Sequence, residues 1–368
     1  MSNSKLKELL HETYENMKKI AVLGSSHIHA PGFSDILMNR SDVEVVTVWD
    51  PDPAIAQKYA SKFNCRSMTE VSSILNMQEI DAVVVMSQTI RHESLALQIA
   101  ESKKHCYIEK PLGIGQSDAK KIKQALESAG VIFQTGHFKR SQAPNRFIKQ
   151  LLSENRFGKI SRIRLDFGTT AIFNDIFHND WLWMTDLNQS GIGAFGDLGI
   201  HLLDLLLWFM QDLAKLEAVT ATFAQPIQKY PGCEECGEAL LRFDNGTLAS
   251  FSASWIDYLQ PTSLIISGTE GHAQMRCKPG MPANIDEKVY DDLFLLVDSI
   301  PGATGKEPWT ELPDTLPSPL DLFLDAVVTN QPEHLVSVKE AAYRSYVMES
   351  IYQGAAKQNW VKIDPNFD

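Results

Sequence analysis

From Lys19 the chain alternates short runs of β-branched residues with segments of helical period. Ile20 to Leu23 reads as a strand, and Phe33, Ile36 and Leu37 carry helical spacing behind it. The grammar then repeats: strand from Val43 to Trp49, helix from Ala54 to Phe63, strand from Ile80 to Met86, helix from Glu93 to Glu101, strand from Cys106 to Ile108. Ser117 and Asp118 offer an N-cap, Ala119 to Ala129 a helix that Gly130 terminates, and Val131 to Gln134 a further strand. Strands this apolar are buried on both faces, which predicts a doubly wound α/β domain: a parallel sheet with helices on each side. In such sheets ligands sit beyond the carboxyl ends of the strands. Ahead of it, Leu6, Leu9, Leu10, Tyr14 and Met17 recur at helical spacing, so residues 1–18 are expected to add an amphipathic helix.

After residue 138 the pattern changes. Lys159 to Thr170, Leu216 to Phe223, Glu238 to Phe243 and Leu248 to Trp255 read as long strands, with Asn245-Gly246 as a hairpin signal between the last two. Residues 139–368 are therefore expected to form a second, α+β domain with a large, open, mainly antiparallel sheet, after a first domain over residues 1–138. Pro279 to Pro319 holds seven of the 17 prolines and reads as a long irregular excursion, and Ser318 to Lys357 returns to helical period.

Composition narrows the function. A length of 368 residues suits two domains, and a net charge of −12 disfavours nucleic acid and anionic membranes as partners. The first 19 residues lack the apolar core of a signal peptide, and Leu202 to Met210 falls short of the roughly 20 residues that span a bilayer. Five cysteines, an odd and small number, fit a reducing cytoplasm better than a disulfide scaffold.

Three places carry candidate chemistry. The first strand ends in the turn GSSHIHA, Gly24 to Ala30, where a dinucleotide fingerprint would set glycines at Ser26 and His29; phosphate binding and a plain strand-to-helix turn both remain open. Asp50, at the end of the second strand, suits an adenosine ribose, or is the turn aspartate of Asp50-Pro51. The formal GxGxxG of Gly191, Gly193 and Gly196 follows no apolar strand and is a decoy. Behind it, Asp197, His201 and Asp204 share one face of an otherwise apolar helix, and buried ionisable groups so aligned suggest a site. In CYIEKPLG, Cys106 to Gly113, a buried strand ends in Glu109 and Lys110 at the ligand edge of the sheet, with Pro111 holding Lys110 extended. Cys233 and Cys236 are read as free thiols, since no second pair accompanies them to make a zinc site. The aromatic loop from Phe173 to Trp183 suits sugar stacking and core packing equally.

The segments IAVLG, DAVVVMSQTIRH, CYIEKPLG and GIGAFGDLGIHLLD together resemble the glucose-fructose oxidoreductase and inositol dehydrogenase family, with GHFKR, FGKI and GTEG extending the likeness over nearly the whole chain. The resemblance implies a Rossmann domain holding NAD, with NADP second to it. Gly24, Ser25, Ser26, His27, Ile28, Asp50, Ser87, His92, Glu109 and Lys110 would line the cofactor. It likewise implies that Lys110, Asp197 and His201 are catalytic. His137, Arg140 and Trp181 are expected to join Asp197 and His201 on the substrate, a small sugar, polyol, cyclitol or glycoside; no metal is expected. A homodimer or homotetramer is implied too. An NAD-dependent glycosidase, or a nonenzymatic sugar or dinucleotide sensor, are the other readings of the same residues. Ser26, His29 and Gln88 depart from the family pattern.

Overall fold

A computed structural model of the chain describes residues 17–258, 262–276, 292–364 and Phe367. The N-terminal amphipathic extension and Cys277 lie outside the described residues. The chain divides into two compact units: one of Met1–Gly113, Ser117–Gly136 and Pro317–Ala342, the other of Ile114–Gln116, His137–Leu316 and Tyr343–Asp368. The expected division after residue 138 differs in two segments: Ile114–Gln116 belongs to the second unit, and the chain returns to the first over Pro317–Ala342.

In the first unit six parallel strands lie in the order β3-β2-β1-β4-β5-β6. They are β1 (Lys18–Leu23), β2 (Val43–Trp49), β3 (Arg66–Ser67), β4 (Ala82–Val85), β5 (His105–Ile108) and β6 (Phe133–Gln134). This is the Rossmann order, whose switch point falls between β1 and β4. Burial explains the central strands: Ile20 to Leu23 and Ala82 to Val85 are fully enclosed. The connecting helices are α1 (Ala30–Asn39), α2 (Pro53–Phe63), α3 (Val71–Leu75), α4 (His92–Ser102) and α5 (Gln116–Ala129). Asp52 caps α2 through its side chain, and Asn64 ends it in the left-handed region. Helix α5 begins at Gln116, ahead of the expected cap at Ser117 and Asp118. Helix α9 (Pro319–Thr329) buries Leu320, Phe323, Leu324 and Val327 in the same core as Ile20, Val22, Val84 and Tyr107. Apolar area removed from water, at about 25 cal/mol per Å², is what draws this distant segment back.

The second unit is built on a nine-stranded sheet ordered β14-β13-β12-β11-β7-β10-β9-β8-β15. Its strands are β7 (Ile160–Gly168), β8 (Leu216–Ala224), β9 (Cys236–Phe243), β10 (Leu248–Ser254), β11 (Thr262–Gly268), β12 (Gly271–Arg276), β13 (Asp292–Val297), β14 (Thr304–Pro308) and β15 (Val361–Lys362). All pairs are antiparallel except β7 with β10. Gly246, at φ +88°, turns the hairpin between β9 and β10, as Asn245-Gly246 predicts. The stretch read as irregular between Pro279 and Pro319 instead contains β13 and β14, and its residues 279–291 lie outside the described residues.

One face of this sheet is covered by α8 (Ala194–Met210), which packs on β7, β9 and β10; Gly199 lets it approach, since a Cβ there would lie 2.9 Å from the Phe251 ring. The remaining helices are α6 (Ala143–Ser153), α7 (Leu187–Ser190) and α10 (Val338–Lys357). Among the described residues one stretch, Leu187–Met210, is long and apolar enough to cross a membrane, and 89% of its apolar window is buried inside the unit.

Candidate active site

The turn after β1 in the first unit is shaped for close approach. Gly24 has φ +88°, and a Cβ there would lie 2.6 Å from Ser87 Cα at the end of β4. Ser25 N–H donates to Asp50 Oδ2 at 2.7 Å and Asp52 N–H to Asp50 Oδ1 at 2.9 Å, so Asp50 ties the turn to the end of β2. Burial raises its carboxyl pKa, and those two N–H groups oppose the shift. Asp50 therefore serves as a turn aspartate at the end of β2. Ser25 Oγ is buried without a hydrogen-bond partner, and the N-cap of α1, His29, makes no side-chain capping bond. An orphaned hydroxyl beside a glycine cradle fits a dinucleotide pyrophosphate.

Across the sheet, β5 delivers Glu109 and Lys110 into the interior, both buried, with a cis Lys110–Pro111 bond. Lys110 N–H donates to Glu109 Oε2 at 2.9 Å. Burial alone would push the Glu109 carboxyl up, but His29, His27 and Lys110 beside it hold it well below the usual carboxylate range. His92 is enclosed, with Nδ1 3.0 Å from Pro111 O and Nε2 3.2 Å from Ser87 O. Burial pushes its pKa down, and a neutral ring can donate to only one of these two carbonyls, so His92 packs between Ser87 and the Lys110–Pro111 turn.

In the second unit α8 carries the other residues. Its start is fixed by Glu234: Gly193 N–H donates to Glu234 Oε1 at 2.8 Å, Tyr352 OH donates to the same oxygen, and a Cβ on Gly193 would lie 2.4 Å from Glu234 Oε2. Gly191 takes φ +75° at the end of α7, so the formal GxGxxG follows a helix and serves this junction. Cys233 Sγ lies beside Gly193, and Cys233 and Cys236 are free thiols. Asp197, half-buried, accepts from Trp255 Nε1 at 3.2 Å. One turn on, the buried His201 ring meets Phe138 at 4.8 Å, His137 at 6.2 Å and Phe167 at 6.4 Å between centroids.

Asp204 does not belong to that group in the way the shared helix face suggests. It is fully buried and accepts from Arg140 Nη2 at 2.6 Å, Arg140 Nε at 2.8 Å and Arg344 Nε at 3.0 Å. Burial alone would raise its carboxyl pKa; Arg140, His137 and Arg344 overcome this and hold it well below the usual range. Arg140, expected on the substrate, thus has two guanidinium nitrogens committed to an internal carboxylate, because two buried charges must pair. Arg344, Glu234 and the buried Lys139, whose ammonium stands 4.1 Å from the Phe167 ring centroid, had no local signal in the sequence. The aromatic loop divides: Phe177 packs on Trp255 at 4.1 Å and Trp183 is buried, whereas Phe173 is exposed and Trp181 half-exposed. Among the described residues one set of side chains is grouped closely enough to ligate a cation, His27, His29 and Glu109, although no metal was expected.

A Rossmann unit with a dinucleotide cradle and a second unit with a buried imidazole over an open sheet define a nicotinamide-dependent oxidoreductase. Residues 18–137 match the oxidoreductase family with an NAD-binding Rossmann fold, and residues 145–274 match the GFO/IDH/MocA C-terminal domain. The chain belongs to the Gfo/Idh/MocA family. It is 26% identical over 231 residues to 1,5-anhydro-D-fructose reductase of Ensifer adhaerens, covering 62% of this chain and 67% of that one. It is 29% identical over 198 residues to glucose-6-phosphate 3-dehydrogenase of Bacillus subtilis, covering 53% and 54%. Among solved structures, GenD2 from gentamicin A biosynthesis in complex with NAD shares the fold, with TM-score 0.76, 22% identity and coverage of 95% and 97%.

Proposed function

We propose that the protein transfers hydride between NAD and a carbinol of a sugar, polyol or cyclitol, with Lys110, Asp197 and His201 as its reacting side chains. The observation that carries this reading is His201: a buried imidazole on an apolar helix, ringed by His137, Phe138 and Phe167, with Asp197 one turn ahead on the same face. When bound, the nicotinamide supplies the hydride acceptor or donor. His201 takes the hydroxyl proton as the carbinol is oxidised, since imidazole titrates near neutrality. Lys110 donates a hydrogen bond to the reacting oxygen and stabilises its developing negative charge. Asp197 orients the substrate or His201. The names of the two sugar-active relatives support a sugar as the substrate class. The acidic charge and free thiols support a cytoplasmic site of action.

The test is a screen of sugars, polyols and glycosides with NAD, following reduced cofactor and released aglycone separately. Reduced NAD accumulating with a free sugar or polyol supports the dehydrogenase. Aglycone release without net NADH would replace it with the glycosidase, and binding without turnover would leave the sensor.

NAD should be preferred over NADP. Asp50 would repel a 2′-phosphate, and Pro51, Asp52 and Pro53 supply no arginine to bind one. Because Asp50 also anchors Ser25, Asp50→Ala should weaken both cofactors while narrowing the gap between them; equal kcat/KM with NADP in the parent protein would overturn the preference. Trp181 is assigned to stacking on the substrate, so Trp181→Ala should raise KM by roughly fivefold to tenfold, the loss of about 1 kcal/mol of aromatic contact. An unchanged KM in a folded variant would return the loop to packing. Leu240, Leu248 and Leu296 stand exposed on strands of the second unit, which supports a homodimer or homotetramer formed through that sheet face. A monomer by sedimentation at micromolar concentration would remove that assignment.

A further inference from the structure

His29, at one of the positions where the turn departs from a glycine fingerprint, has two further metal-ligating side chains beside it. His27 and His29 stand in the turn after β1, and Glu109 reaches the same place from the end of β5; one ligating atom from each lies within 4.8 Å of the others. His29 Nδ1 is 3.0 Å from Glu109 Oε1, and the two imidazole rings meet edge to face at 4.7 Å. Two ligands on a tetrahedral zinc ion lie roughly 3.3 Å apart, given bonds of about 2.0–2.1 Å; the His29–Glu109 pair is already near that spacing, and side-chain rotation must close the rest of the 4.8 Å set. Two imidazoles and one carboxylate are a donor set suited to zinc and its borderline neighbours and unsuited to calcium or magnesium, which prefer all-oxygen cages. Burial is graded as an open three-ligand site requires: Glu109 and His27 are enclosed, while 38% of the His29 side chain faces solvent and gives an entry path.

We propose that His27, His29 and Glu109 form a three-ligand binding site for a divalent cation of the zinc class in the first βα turn. On binding, the proton shared between His29 and Glu109 leaves, the weak 3.2 Å bond from His29 N–H to His27 Nδ1 is exchanged for coordination, and water completes the shell. The site lies in a turn that the oxidoreductase reading gives to the dinucleotide, yet it needs neither NAD nor sugar, so its test is independent of that reading.

The experiment is a titration of the full chain with Co2+ alone near pH 7.5, read by visible absorption, followed by displacement with Zn2+. One equivalent of Co2+ should bind with the intense d–d bands of four- or five-coordinate metal and without near-ultraviolet thiolate bands, which would instead report Cys233 and Cys236. Second-shell losses typically weaken metal binding by 10- to 100-fold, so removing a ligand in His29→Asn should cost at least about that. Asparagine is a good N-cap, which favours folding of this variant, and circular dichroism checks it. Glu109→Gln repeats the test from the other strand, while Cys233→Ser should leave affinity unchanged. Thiolate bands, dissociation constants above about 1 mM, or equal affinity in parent, His29→Asn and Glu109→Gln would each overturn the site.

Discussion

His201→Ala is expected to lower turnover by about 10²- to 10⁴-fold while NAD still binds, the range lost when a positioned acid–base group is removed. The imidazole lies in the second unit, whereas the cradle for NAD is built from Gly24, Ser25 and Asp50 in the first, so loss of the base should spare cofactor affinity. Lys110→Met should depress turnover by a similar factor, because a donor to a developing alkoxide acts mainly in the transition state. The double variant should lose less than the product of the two single losses if both side chains serve one step. Stopped-flow turnover measured beside NAD titration separates the outcomes. Near-normal activity in His201→Ala removes it as the base, and abolished NAD binding in Lys110→Met moves that residue from chemistry to cofactor retention.

Asp204→Asn should destabilise the second unit by about 3–5 kcal/mol, the typical consequence of breaking a buried ion pair from one side. The variant leaves the guanidinium groups of Arg140 and Arg344 enclosed with a neutral amide in place of their carboxylate partner. The pH dependence has a definite sign. With its folded pKa depressed, Asp204 contributes stability that is present above its unfolded pKa, near 3.9, and is lost as pH falls through the folded value. The gap between parent and variant should therefore be full at pH 7 and narrow only in strong acid. Urea unfolding at both pH values checks this, and a loss below about 1 kcal/mol at pH 7 would mean that the arginines find other partners.

What the sequence disclosed depended on how local each determinant is. Val43–Trp49 stands in the structure with the bounds its pattern predicts, because its β-branched residues suit a strand and Val43, Val45 and Thr47 alternate into the core. Strands β11, β12 and β14 are not legible for a different reason, while the apolar β13 is hidden by the proline-rich stretch around it. Ser263, Gln274 and Lys306 make their runs polar, and β14 is wholly exposed, held as an edge strand by pairing with β13 rather than by its own propensity. Ser318 to Lys357 reads as one helical tract, but Asn330 adopts φ +57° and separates α9 from α10. In the site, the placement of Asp197, Asp204 and His201 on one helix face was legible. That Asp204 is neutralised was not, since its partners Arg140 and Arg344 lie 64 and 140 residues away in the chain. His29 was visible only as a missing glycine, because its partner Glu109 lies 80 residues further on.

The return of Pro317–Ala342 to the first unit bears on how the chain is made. A ribosome that has released residue 136 has delivered every strand of the Rossmann sheet but not α9, whose Phe323 and Leu324 complete the core around Tyr107. At about 5–20 residues per second, the roughly 190 residues still to come take on the order of 10–40 s, during which that apolar face awaits its cover. Nascent first units are therefore exposed to chaperones and to one another for that interval. A fragment ended at residue 138 should remain in this incomplete state, and supplying the segment from Pro317 to Ala342 in trans should complete it.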